Sequence, residues 1–359
     1  MSTATRITGR DKESTVVEMA EKAVAVGRLM LGEFTGWEEF CRPATIDYSA
    51  LPRRQLKSGY ADVKRRLKTE IKKFCDQNFV SFNAERLASL YDPILEGRGL
   101  EAPLKDFEIR YGKIHPKTLK GAPPHLTVSI SLWGLKFRFP EDMIAKDISA
   151  ALRLIRSAKQ TLNRFEKLPH KSVSKNTEDF VPSLREFEFA QRAIVLSCFN
   201  LLEAYLNGLA WDYCETHGLE HLSKRKAKLL QDTASASIRE KLDNYPWIIS
   251  DTSEVPLAGK TEFLEKVKPF RDSLVHPSPF TAPEKFGGYQ KLQKFYDLDE
   301  GIVKLSVVSC LSLIAGINHV VTGSEGFPEW CETINDEIQQ AIVEEQLTSA
   351  CRGRETPQH

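Results

Sequence analysis

The sequence predicts an α+β N-terminal domain built around a small antiparallel sheet, followed by an all-α helical bundle. Three observations carry that division. Between Phe107 and Phe139 apolar residues alternate with polar ones at a period of two, as in strands half-buried on one face. From Pro140 onward they recur at spacings of three and four, the period of an α-helix. Lys167 to Pro182, between two such helical stretches, is polar and carries Pro169 and Pro182, which marks a linker. The expected units are residues 1–168, a linker at 169–182, a bundle over 183–322 and an acidic tail over 323–359.

Composition narrows the class. A chain of 359 residues with 41% hydrophobic and 28% charged side chains is that of an ordinary folded protein, long enough for two or three cores. A formal net charge of +1 gives no global attraction for a polyanion, so any nucleic-acid binding has to come from local patches. Seven cysteines are scattered without paired spacing, which predicts free thiols in a reducing cytoplasm. Met1 to Lys12 is polar, without the apolar core of a signal peptide. The longest apolar run, Leu305 to Ile317, falls short of the ~20 residues that span a bilayer and is expected to be a buried helix, with no membrane partner.

The elements follow in order. Thr15-Val16-Val17-Glu18 is a capping-box pattern that opens a helix to about Leu31. A second helix, Ala61 to Cys75, carries a stripe of Val63, Leu67, Ile71 and Phe74. Lys64, Arg65, Arg66, Lys68, Lys72 and Lys73 crowd its other faces, and with Arg53, Arg54 and Lys57 they form the most basic segment of the chain. Phe107, Ile109 and Tyr111 then alternate as one strand, and Leu126, Val128, Ile130 and Leu132 as another. The alternation shifts from even to odd numbers at Trp133-Gly134 and continues through Leu135, Phe137 and Phe139, which signals a tight hairpin turn or a bulge. Past Pro140, Ile144, Ile148, Ala151, Ile155, Ala158, Leu162 and Phe165 make a heptad seam. That seam can pack on another subunit or along the protein's own helices.

In the second half, Ser183 to Glu186 is another capping box, and the helix it opens can run to Gly218, roughly 50 Å at ~1.5 Å per residue. Phe187, Ile194, Cys198, Leu201, Tyr205 and Leu209 line one side of it. A last long helix is expected from about Asp299 to Val321.

The chemistry is concentrated at Lys266 to Pro277. Phe263, Val267, Phe270 and Leu274 form one apolar helical face, while Arg271, Asp272 and His276 lie off it, so core packing does not account for them. Pro277 cannot continue a helix and biases its predecessor away from α geometry, which puts His276 at the helix end. Asp272, four residues before His276, can share its face and orient the ring. Pro269 removes a backbone donor and predicts a short helix with Arg271 in its first turns.

This second half resembles the HEPN superfamily, all-α domains many of which are metal-independent ribonucleases. The resemblance rests on an R-x4-6-H motif, Arg271-Asp272-Ser273-Leu274-Val275-His276, and on a long preceding helix with a polar pair, Glu203 and Asn207, on an apolar background. It implies RNA cleavage by the substrate's own 2′-hydroxyl, without a cofactor or metal. His276 would act as general base or acid, Arg271 would stabilise phosphate charge, and Glu203 and Asn207 would support the site. It also implies a homodimer with two motifs facing each other, and a role as toxin or effector in a bacterial defence or stress system, with an antitoxin or regulatory protein as partner. The alternative is a catalytically inactive helical module that binds a protein or nucleic acid, with Arg271 and His276 as a structural pair and Glu203 and Asn207 as a buried hydrogen-bonded pair.

Two further groups invite chemistry. Lys224, Arg225, Lys226 and Lys228, like the basic helix of Lys64 to Lys73, can hold phosphates or simply form a solvated face. Cys214, His217 and His221 are metal-ligand types, but Gly218 should end the helix between the histidines, and no second ligand cluster accompanies them. The sequence contains no Gly-rich phosphate loop, dinucleotide fingerprint, His-Glu-x-x-His or Gly-x-Ser-x-Gly, which disfavours nucleotide hydrolases, metalloproteases and α/β-hydrolases.

Overall fold

The computed structural model describes residues 65, 69, 72–90, 93, 98–131, 134–166, 177–277 and 288–340. The predicted helix from Thr15 to Leu31, most of the stripe from Val63 to Ile71, Arg53, Arg54, Lys57, Lys64, Arg66, Lys68 and the tail beyond residue 340 lie outside them. The chain divides into two compact units, residues 1–139 and 140–359.

The first unit contains helix α1 (residues 72–78), α2 (Ala84–Ala88), strand β1 (Leu100–Pro103), α3 (Leu104–Tyr111), β2 (Thr127–Ser131) and β3 (Gly134–Arg138). The strands form an antiparallel sheet in the order β1-β2-β3. Ser131 pairs with Gly134, so the shift in alternation at residues 133–134 is a two-residue hairpin, and Gly134 takes φ +94° just past it. The expected strand over Phe107 to Tyr111 is instead α3. Phe107 and Tyr111 are two alternations apart and also one helical turn apart, so their pairing fits both periods; as a helix they meet at 5.0 Å between ring centroids, and Ile109 between them is 72% exposed. The third strand, β1, buries only Ala102 and gave no alternating signal. Gly112 then turns the chain at φ +128°, where a β-carbon would sit 2.2 Å from the Ser81 carbonyl oxygen.

The second unit is helical: α4 (Pro140–Glu166), α5 (Thr177–His217), α6 (Lys224–Gln231), α7 (Ile238–Ser250), a π turn (Glu262–Val267), α8 (Lys268–Val275), α9 (Gly288–Tyr296), α10 (Glu300–Thr322), a 3-10 turn (Glu329–Cys331) and α11 (residues 332–340). The heptad seam of α4 packs along the protein's own α5, with Ile148 and Ala158 buried and Phe165 edge-on to Phe180 at 5.4 Å. This corrects the expected division: α4 belongs to the helical unit, and the boundary falls at residue 139 instead of the 169–182 segment.

α5 begins at Thr177, not Ser183, and Pro182 lies inside it. Proline there removes only the hydrogen bond to residue 178, a loss near the helix start that the Phe165–Phe180 packing offsets. At 41 residues the helix is about 60 Å long, and it ends as expected at Gly218, φ +68°, whose N–H bonds the Cys214 carbonyl. α10 runs from its Asp299 cap to Gly323. By length and composition α5 and α10 are both able to cross a membrane, yet about half of each apolar window is buried in this unit. Ile194, Leu201, Leu202 and Leu206 on α5, with Leu313, Ile314 and Ile317 on α10, form the fully buried centre of the core. Residues 323–340 are part of this unit and not a tail. Trp330 packs edge-on against Tyr205, Cys331 and Ile334 are fully buried, and Glu337 pairs with Arg153 and Arg156 of α4.

Candidate active site

The Lys266–Pro277 segment is entered through an irregularity. The π turn accommodates an extra residue, with the N–H of Lys268 reaching the Phe263 carbonyl, and α8 starts afresh with Pro269 in its first turn, where the missing donor costs little. The stripe read from the sequence is therefore broken. Phe263 and Val267 are fully buried, but in α8 the residue with no exposure is Ser273, while Phe270 and Leu274 are half-buried. The Ser273 hydroxyl is buried without a hydrogen-bond partner.

This phase brings Arg271 over the ring of Phe199 on α5, 5.4 Å from its centroid, and Phe199 in turn stacks on Phe263 at 4.3 Å and 26°. A guanidinium on an aromatic face gains electrostatic attraction while its fork stays free for other bonds. One of those bonds runs from Arg271 Nη1 to Asp272 Oδ1 at 3.1 Å, and Lys268, one turn earlier, donates to the other carboxylate oxygen. Burial raises the Asp272 pKa, but the hydrogen bonds and charges of Lys268 and Arg271 outweigh it and hold the carboxyl below its ordinary range. A carboxyl whose pKa is lower folded than unfolded adds stability above the unfolded value, and that stability is lost as pH falls through the folded one. Asp272→Asn is thus expected to cost about 1 kcal/mol at neutral pH, and the gap to the native protein should close below about pH 4, measured as urea midpoints across pH. A gap that persists in acid would mean the pair adds nothing as an ion pair.

His276 caps α8 at φ −126° and ψ 61°, its backbone N–H bonded to the Asp272 carbonyl at 3.0 Å. Its side chain is exposed, and no hydrogen bond reaches the imidazole among the described residues. The expected Asp272–His276 side-chain pairing is thus not formed. Pro277 draws His276 out of helical geometry, and Lys268 and Arg271 already occupy the carboxylate. The result is an exposed acid/base group one turn beyond a half-buried cluster of two cations and one anion, while Lys294 on α9 lies 4.9 Å over the ring of Phe270.

Glu203 and Asn207 do not join this cluster. Glu203 accepts from Lys241 of α7 at 2.6 Å, no hydrogen bond joins it to Asn207 among the described residues, and the Asn207 Oδ1 is buried without a hydrogen-bond partner. The α5 residue that does reach Arg271 is Phe199, one turn before Glu203, which the sequence reading did not single out. Lys268 was also missed, although its position four residues before Asp272 is an ion-pair spacing. Of the basic helix in the first unit, Arg65, Lys72 and Lys73 are exposed, and Lys72 is paired with Asp76 at 2.6 Å. Lys224, Arg225 and Lys226 are exposed on α6. The chain matches no protein-family model, no curated protein and no solved structure.

Proposed function

We propose that the protein is a metal-independent endoribonuclease of HEPN type, acting in the cytoplasm as a homodimer. The observation that carries the reading is His276, an exposed imidazole without a hydrogen bond among the described residues, at the end of α8 and five residues from a guanidinium held by Phe199 and Asp272. An imidazole suits proton transfer at neutral pH, here from the 2′-hydroxyl or to the leaving 5′-oxygen. Arg271, already oriented, would meet the charge that builds on the phosphate. A second copy would supply the other half of the acid/base pair. Free thiols at Cys75, Cys198, Cys310 and Cys331, all buried, suit a reducing compartment. The resemblance further points to a toxin or effector of a bacterial defence or stress system, restrained by an antitoxin or regulatory protein.

The second reading is a HEPN-like binding module without catalysis, favoured by the way Lys268 and Arg271 occupy Asp272 and leave the imidazole without an orienting carboxylate. Purified protein incubated with transfer, ribosomal and messenger RNA in EDTA separates them. Fragments ending in a 2′,3′-cyclic phosphate are expected; intact RNA from a folded dimer would leave the binding module.

A further inference from the structure

The two side-chain groups that the active site leaves unused, the histidines after Cys214 and the basic run at residues 224–228, form neighbouring parts of one surface. Tyr213 and His217, one turn apart on α5, stack their rings at 4.8 Å and 23°. Gly218 then ends the helix, and the chain doubles back so that the Tyr213 hydroxyl and His221 Nε2 are 2.7 Å apart. Both imidazoles are exposed. Two residues later Ser223 caps α6, which buries Leu230 and is pinned to α7 by the Tyr245 hydroxyl donating to the Leu229 carbonyl at 2.8 Å. Lys224, Arg225, Lys226 and Lys228 are left on its outer faces, all exposed.

Helix stability does not account for that row. The first turn of α6 contains three cations and no acidic residue, opposite to what the positive end of a helix favours. The flanking carboxylates Asp232 and Glu240 are tied into their own turns by Ser235 and Ser237, although Arg225 lies within reach of Glu240. Glu220, in the connecting turn, is the one acidic residue between His217 and Lys224 in the chain.

We infer that the end of α5 and the outer faces of α6 form a docking surface for single-stranded RNA, on which unpaired bases stack against Tyr213, His217 and His221 while phosphates meet Lys224, Arg225, Lys226 and Lys228. Two exposed imidazoles and a half-buried tyrosine beside a short cationic row are what a strand with uncovered bases can use; a duplex hides its base faces and offers phosphate alone. The inference deepens the nuclease reading and rests on RNA being the substrate.

The test is fluorescence anisotropy of the full chain, carrying His276→Ala to stop cleavage, titrated with a labelled oligoadenylate of about twelve nucleotides over a range of salt. Replacing Lys224, Arg225 and Lys226 together by glutamine should lower the slope of log affinity against log salt by about 2, since each phosphate contact contributes about 0.7 for a single strand. His217→Ala should weaken binding about fivefold or more with the slope unchanged, the size of one lost stacking partner. An unaltered slope in the triple variant, or equally tight binding of an RNA duplex of the same length, overturns the docking surface. Cleavage is read separately in protein retaining His276. Continued cleavage by a triple variant whose salt slope is unchanged removes the docking surface alone, and binding through it by a protein that cuts no RNA removes the nuclease reading alone.

Discussion

Replacing His276 by alanine is expected to lower RNA cleavage about 10²- to 10⁴-fold, the usual contribution of a positioned acid/base group, while stability changes by no more than ~0.5 kcal/mol. The separation of the two effects comes from exposure. His276 lies beyond the last turn of α8 and has no side-chain hydrogen bond among the described residues, so its removal leaves no cavity and strands no partner. Arg271→Lys should also impair cleavage although the charge is kept, because an ammonium neither stacks on Phe199 at 5.4 Å nor offers a planar fork to a phosphate. Rates on a defined RNA, measured beside urea denaturation and sedimentation to check that fold and oligomeric state match the native protein, give the result. Undiminished cleavage by the folded alanine variant would remove His276 from the chemistry.

Glu203→Ala is expected to destabilise the helical unit by about 3 kcal/mol, whereas Lys241→Met should change stability by less than ~1 kcal/mol. The asymmetry follows from burial. The Lys241 side chain has 0% exposure and Glu203 has 41%, with 2.6 Å between Nζ and Oε1. Deleting the carboxylate leaves an ammonium in the interior with no counter-charge. Deleting the ammonium leaves a carboxylate that water already reaches, and methionine fills the space of the lysine stem. The cost for Glu203 is placed at the low end for a stranded buried charge because its own exposure screens part of the attraction. Urea unfolding of the two single variants decides it, and a larger loss for Lys241→Met would mean that the pair is not organised by the buried lysine.

Much of the local structure was legible in the residues. The parity shift at Trp133-Gly134 marked the hairpin, the expected span from about Asp299 to Val321 matches α10 to within one residue at each end, and Pro277 marked the end of α8. Three features were hidden, each by a different cause. Phe107 and Tyr111 satisfy two periods at once, and only the packing of their rings chooses the helix. Pro182 is a helix breaker by local preference, but long-range contact of Phe180 with Phe165 carries α5 through it. The boundary between the units was misplaced because a heptad seam states that a partner exists without saying which, and the partner of α4 is α5. At the site, the π turn broke the expected stripe, and of Arg271 and His276 only the helix-end place of the histidine was readable, from the proline. The identity of their neighbours was not, since Phe199 reaches Arg271 only through the fold and an extra residue in the π turn sets the phase. A fully buried lysine such as Lys241 is also invisible to patterns that assign lysine to water.

The last described helix has a practical corollary for anyone excising the bundle. Because Glu337 bridges Arg153 and Arg156, and Trp330 rests against Tyr205, the polypeptide that closes this core starts at Pro140 and extends through residue 340. A fragment trimmed to the motif-bearing helices would bare the seat of an indole and deprive two guanidinium groups of their carboxylate, and its behaviour would report the trimming more than the native molecule.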